Sequence, residues 1–164
     1  MISSDTAATG VTRHTLPAEI ARVAPLRAAF METLSSGALP ETELHRWELV
    51  FQELLVNAIC HGAKEDPSKT VSIEWCVSHD SITLASTDPG PGPSDEQMEN
   101  PPLPDPESLS GRGLLIIAGF ADSLRWWRGP YGFRIEVVKN YPALALPLPG
   151  NPELDSVLDE LSSC

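Results

Sequence analysis

The chain has 164 residues, a length typical of one globular domain with a short appendage at either end. Acidic residues outnumber basic ones by 23 to 11, the formal net charge is −12, and no cluster of Lys and Arg is present, so direct binding of nucleic acid is not expected. No apolar stretch reaches the ~20 residues that a membrane-spanning helix needs, and the first residues lack a secretory signal, so we expect a cytoplasmic protein that does not enter a membrane.

The first part of the chain is predicted to be mostly helical. Residues 1–10 are rich in Ser, Thr and Ala and are expected to form a flexible N-terminus, and residues 11–16 to form a short edge strand. Apolar residues at helical spacing predict a first helix over 17–37 and a second over 40–62. The second helix begins with Pro in its first turn and acidic residues near the positive end of its dipole, which favour this start.

Two β-hairpins with a short helix between them are predicted in the second part. The strands are predicted over 70–77, 81–87, 123–128 and 131–138, and the helix over 111–120. Residues 141–164 read as a Pro-rich linker followed by a short acidic amphipathic helix. Helices that precede a run of strands indicate the α+β class, with one mixed sheet and helices on one of its faces.

Three local motifs carry chemistry. Glu53 and Asn57 are four residues apart and lie on one face of the second helix, and His61 extends that row. A carboxylate and an amide among apolar neighbours need a partner, because burying them unpaired costs several kcal/mol. Taken alone, the pair is more typical of side chains that cap a loop or line a solvated face.

The other two motifs are rich in glycine. Asp88–Gly92 follows a strand directly, where an acid can accept hydrogen bonds from a base amino group and glycines let the backbone approach a ligand. Gly111–Leu114 opens a helix, where free backbone N–H groups and the positive end of the dipole suit a phosphate. Each motif alone is also typical of an ordinary turn.

The order and spacing of the motifs are more informative than any one of them. A helix with ExxxNAxxHG, a hairpin, DxGxG, an acidic stretch and GRGL at a helix start follow one another within residues 11–140. This series resembles the nucleotide-binding domain of the GHKL (histidine-kinase-like) ATPase superfamily, and most closely its small bacterial anti-sigma-factor serine/threonine kinases. The resemblance implies a Bergerat-type α/β two-layer sandwich with a mixed, mostly antiparallel sheet and helices on one face.

The resemblance also implies roles for the polar residues. The carboxylate at Glu53 acts as the general base or orients the attacking hydroxyl, and the amide oxygen of Asn57 helps to hold Mg²⁺, which prefers hard oxygen ligands. Asp88 receives the amino group of adenine. His61 is either a contact near the site or a structural histidine.

The glycine motifs are implied to hold the nucleotide. Gly90 and Gly92 let the chain turn beneath it, and residues 93–110 form the lid. The backbone donors to the phosphates come from four consecutive residues, Gly111, Arg112, Gly113 and Leu114.

Three features depart from the family pattern. Phe133 stands where the family often has Thr, which removes a hydroxyl near adenine, although Thr87 lies beside Asp88 in sequence. The lid is acidic, and prolines flank Gly90 and stiffen its turn.

The resemblance implies an ATP-dependent protein serine/threonine kinase that acts as an anti-sigma factor in a partner-switching system, with ATP and Mg²⁺ as cofactors. Its implied partners are a sigma factor and a STAS-type anti-anti-sigma protein that it phosphorylates, and a homodimer is expected. The alternative is a non-catalytic module that regulates by docking alone, with or without ATP. The catalytic half of a histidine kinase is disfavoured, because His45 lies on the helix of Glu53 rather than on a separate helical hairpin.

Overall fold

The structure of the protein, a computed structural model, describes the backbone of residues 3–6 and describes residues 10–103 and 111–142 in full. The predicted C-terminal helix and the second part of the predicted lid lie outside the described residues. Within the described part, no helix is long and apolar enough to cross a membrane.

A six-stranded sheet forms one layer of the fold, in the order β1-β2-β3-β4-β6-β5. The strands are Ser3–Thr6 (β1), Val11–Pro17 (β2), Thr70–Val77 (β3), Ser81–Asp88 (β4), Ser123–Gly129 (β5) and Gly132–Asn140 (β6). Every described pairing is antiparallel, whereas the sequence indicated a mixed sheet. The reason is that β4 and β5 run in the same direction, but β6 lies between them and separates them.

The helices form the second layer and confirm the predicted α+β sandwich. They span Val23–Ser35 (α1), Glu41–Asn57 (α2), Asp95–Glu99 (α3) and Gly113–Phe120 (α4), and a 3₁₀ turn, Ile20–Arg22, precedes α1. Several details differ from the sequence prediction. The first helix was predicted from residue 17 but begins at Val23, because Pro17 still belongs to β2. The strand β2 is not at an edge, because the polar segment β1 pairs with it, and α3 lies inside the segment predicted as a lid.

An aromatic cluster fixes the position of α2 on the sheet. Trp47 and Phe51 on this helix are fully buried and pack around Phe30 of α1, and Trp75 of β3 meets Phe30 and Phe51 edge-on. The indole N–H of Trp47 donates a hydrogen bond of 2.9 Å to the buried hydroxyl of Tyr141, just after β6. These contacts bury one side of α2 against the sheet. They thereby fix the positions of its polar residues Glu53 and Asn57 beside the end of β4.

The end of α2 is wound more widely than an α-helix. Residues Ala58–Gly62 form a π-helical turn, in which the N–H of Ala63 donates to the carbonyl of Ala58 at 2.9 Å. Lys64 and Glu65 follow with φ angles of +61° and +53°, a backbone conformation that is uncommon for residues other than glycine. Such turns and such backbone angles are frequent at functional sites.

Candidate functional site

The predicted site residues surround one cavity of about 650 Å³ between α2, the end of β4, α3 and the start of α4. A cavity of this size is in the range of small-molecule and cofactor sites. With the exception of Gly90, every residue singled out from the sequence lines it: Glu53, Asn57, His61, Asp88, Gly92, Gly111, Arg112, Gly113 and Leu114.

The α2 side of the cavity carries an acid and an amide in close contact with the start of α4. A Cβ atom added at Gly113 would overlap the carboxylate of Glu53 and would lie 3.0 Å from Asn57 Nδ2. Glycine at this position therefore lets the N-terminus of α4 approach the polar face without displacing the Glu53 carboxylate. Partial burial also raises the pKa of Glu53, and a carboxylate with a raised pKa is a better proton acceptor than an exposed one.

Asp88 is the buried acid of the cavity. It is 7% exposed, and the backbone N–H of Gly90 donates to its Oδ1 at 2.8 Å, which is the one hydrogen bond that it accepts within the described part of the chain. Burial raises its pKa to about 6, so the carboxylate stays mostly ionised at pH 7 and can accept a further hydrogen bond from a ligand.

Two glycines make room for this acid. A Cβ atom at Gly62, the last residue of the π-helical turn, would overlap the Asp88 carboxyl group. A Cβ atom at Gly90 would lie 2.7 Å from the carbonyl oxygen of Gly62. Gly90 does not itself line the cavity. Its close contact with Gly62 and the hydrogen bond from its N–H hold the Asp88 side chain in place.

The wall beside Asp88 is formed by Phe133 of β6. This ring is 4% exposed and packs against Gly92, whose φ of +69° and lack of a side chain allow the contact. Thr87 does not supply the hydroxyl that Phe133 lacks, because its side chain lies on the opposite face of β4, 3.5 Å from the Arg134 guanidinium. The hydroxyl that does line the cavity belongs to Ser86, which is 2% exposed.

Sequence reasoning missed several residues of the cavity. Ser86 could have been predicted from the alternation of side chains along β4, which places positions 86 and 88 on the same face. Gly62 ends the motif of α2 but was given no role, and Lys64 was missed, because the π-helical turn breaks the period of α2. Gln97 and Met98 belong to α3, whose start could have been read from Ser94 followed by Gln97, a capping box that the structure contains.

The polar groups of the cavity fit a nucleoside triphosphate with a divalent cation. The buried carboxylate of Asp88 can accept from a base, and the glycine-rich start of α4 offers backbone N–H groups to phosphates. The oxygens of Glu53 and Asn57 are the kind that Mg²⁺ prefers. No group of three or more His, Cys, Asp and Glu side chains in the described part could hold a metal, so a cation here would depend on ligand oxygens as well.

Two comparisons with known proteins bear on this site. The profile of the family described as the histidine kinase-like ATPase domain matches residues 16–139. The chain is also 35% identical, over 85 residues, to the anti-sigma F factors of Oceanobacillus iheyensis and Clostridium perfringens. These matches cover 50% of this chain and 58% and 61% of those proteins, respectively.

Proposed function

Because the chain belongs to the histidine kinase-like ATPase domain family, we propose that its cavity binds ATP with Mg²⁺ and that the protein is an anti-sigma-factor serine/threonine kinase. The observation that carries the proposal is the convergence of the Asp88 carboxylate, the Glu53–Asn57 pair and the glycine start of α4 on a single cavity of about 650 Å³. The similarity to anti-sigma F factors over 85 residues supports the regulatory part of the proposal.

The buried acid and the glycines around the cavity have defined tasks in this proposal. Asp88 accepts a hydrogen bond from the adenine amino group, and Gly62 and Gly90 hold it at the required position. Gly113 brings the N-terminus of α4 beside Glu53, so that the backbone N–H groups of α4 face the phosphates. This arrangement selects adenine by hydrogen bonding and binds the phosphates through backbone donors.

Phosphoryl transfer requires positioning, charge neutralisation and a base at the attacking hydroxyl. Glu53 would take the proton from a Ser or Thr hydroxyl of the protein partner, and its raised pKa suits that task. Asn57 would hold Mg²⁺ through its amide oxygen. The bound cation would offset the negative charge that develops on the phosphates during transfer.

The partners follow from the same proposal. A kinase of this kind would bind a sigma factor and phosphorylate a STAS-type anti-anti-sigma protein, in the cytoplasm and as a homodimer. A second candidate is a module that regulates by docking without phosphotransfer, with or without ATP. Glu96 and Glu99 of α3 favour this second candidate, because each negative charge about 8 Å from a phosphate opposes binding by roughly 0.5 kcal/mol in water.

Calorimetric titration with ATP, with and without Mg²⁺, tests nucleotide binding. We expect Mg²⁺-dependent binding to the wild type and none to Asp88→Asn, because the amide would present a donor or a weaker acceptor to adenine. The matched control is Asp80→Asn, in the β3–β4 turn away from the cavity. No binding to the wild type at millimolar ATP would refute the proposal. Transfer of labelled phosphate from ATP to an anti-anti-sigma protein then separates the kinase from the docking module.

A further inference from the structure

We propose that Arg128, at the end of β5, is a positioning residue that preforms the base-binding side of the cavity. Arg128 does not line the cavity. It acts through the segment 91–98, which connects the glycine motif to α3 and carries several of the lining residues. The inference rests on the proposed nucleotide function, and it extends that function to a residue outside the motifs of the family resemblance.

The guanidinium of Arg128 joins three points of this segment. Its Nε donates to the carbonyl of Pro91 at 3.1 Å, its Nη2 donates to the carbonyl of Pro93, and its Nη1 pairs with the Asp95 carboxylate at 2.5 Å. Because the two prolines have no backbone N–H to donate, the segment can form few hydrogen bonds of its own. One planar group with several donors in a fork replaces the hydrogen bonds that a regular element would supply.

The same guanidinium also packs on the wall of the cavity beside Asp88. It lies over the Phe133 ring, 5.4 Å from its centroid, and Gly92 packs against that ring. The chain turns at Gly92 with a φ of +69°. Arg128 therefore holds the carbonyls on both sides of Gly92 and also contacts the ring on which Gly92 rests.

A second contact from β5 extends this effect into α3. The indole N–H of Trp126 donates to Asp95 Oδ1 at 3.0 Å, the same oxygen that Arg128 contacts. Asp95 is the first residue of α3, and the capping box fixes the start of that helix. Gln97 and Met98, which follow in α3, line the cavity, and Met98 is 2% exposed. The position of these two side chains thus depends on the anchorage of Asp95.

The physical consequence is preorganisation. A loop that is held before the ligand arrives loses less conformational entropy on binding, so the ligand binds more tightly without any direct contact to the anchoring residue. A loop released from Arg128 would have to be ordered by the nucleotide itself. The resulting loss of affinity would concern the binding of the base and not the binding of the phosphates.

The test compares Arg128→Ala and Arg128→Lys with the matched control Arg125→Ala. Arg125 lies on the same strand but points to the opposite face, where it pairs with Glu136 at 2.6 Å. Hydrogen exchange is measured first, without nucleotide. We expect the amides of Gln97 and Met98 to exchange about tenfold faster in Arg128→Ala, less so in Arg128→Lys, and unchanged in Arg125→Ala.

Binding of ATP and of adenosine is then measured by calorimetry. In Arg128→Ala we expect the dissociation constant of both ligands to rise about tenfold, with a more unfavourable binding entropy, because the loop must be ordered on binding. A loss confined to ATP would mean that Arg128 contacts phosphate directly, and would overturn the proposal.

Unchanged exchange in Arg128→Ala, or equal effects in Arg125→Ala, would also overturn it. If the wild type binds neither ligand, the proposed function fails, and the exchange data alone decide whether Arg128 positions the segment.

Discussion

The buried acid of the cavity predicts an unusual dependence of stability on pH. The pKa of Asp88 is about 6 in the folded protein, against an ordinary value of 3.8. The folded state therefore binds more protons than the unfolded state between these two values, and its stability falls as the pH rises through that window. The full effect is about 3 kcal/mol at neutral pH, since one pKa unit corresponds to about 1.4 kcal/mol.

The replacement Asp88→Asn removes this titration. Its amide oxygen can still accept from the Gly90 N–H, and its shape is nearly the same, so the variant should be more stable than the wild type at neutral pH. The difference in free energy of unfolding between the variant and the wild type should grow by about 1.4 kcal/mol between pH 5 and pH 7.5. Urea unfolding of both proteins at these two pH values measures it. An ordinary acid at this position would give no such growth.

Asp66→Asn provides the control of opposite sign. Hydrogen bonds from Ser68 lower the pKa of the exposed Asp66 carboxyl, so its contribution to stability is lost as the pH falls. The argument would be refuted if Asp88→Asn destabilised the protein at pH 7.5, or if its effect were the same at both pH values. An effect that is equal at both pH values would mean that the environment of Asp88 does not oppose its ionisation. Destabilisation at pH 7.5 would mean that burying the N–H₂ group of the new amide costs more than burying the ionised carboxylate.

Three further predictions concern catalysis and packing. Glu53→Gln should keep ATP binding but slow phosphotransfer to a protein partner by roughly 10²–10⁴-fold, measured with labelled ATP; an undiminished rate would exclude this carboxylate as the base. Gly113→Ala should weaken ATP binding in calorimetry through its overlap with Glu53, whereas Gly119→Ala on the same helix meets no atom within 4 Å and should not. Tyr141→Phe should lower the free energy of unfolding by about 1–3 kcal/mol because a buried indole N–H loses its acceptor; the exposed Tyr131→Phe should leave it unchanged in the same denaturant titration.

Much of the fold could be predicted because its elements are bounded by residues with strong local preferences. The hairpin of β3 and β4 was predicted to within one residue, since β-branched runs flank a three-residue polar turn. Gly37 and Pro40 likewise marked the gap between α1 and α2. The segment Ser3–Thr6 gave no such signal, because a short polar strand is specified by its pairing with β2 and not by its own sequence.

The site was predictable only where it follows a regular period. Glu53 and Asn57 share a helical face, and Asp88 follows a strand, so the sequence could group them. Lys64 lines the same cavity, but it was not predictable, because its backbone conformation depends on tertiary packing. The anchorage by Arg128 was equally invisible, since it joins residues more than thirty positions apart in the chain.

The π-helical turn connects these two halves of the site. If the α-helix continued through residues 58–62, its side chains would keep the i, i+4 spacing. The wider π-helical turn instead directs the last residues of the helix differently. In the structure that direction brings Gly62 against the Asp88 carboxyl group, where no larger residue fits. The turn thus joins the face of Glu53 and Asn57 to the acid at the end of β4. An irregular helix end and a buried ionised acid both lower stability, and the proposed nucleotide binding gives a reason why the chain would retain both.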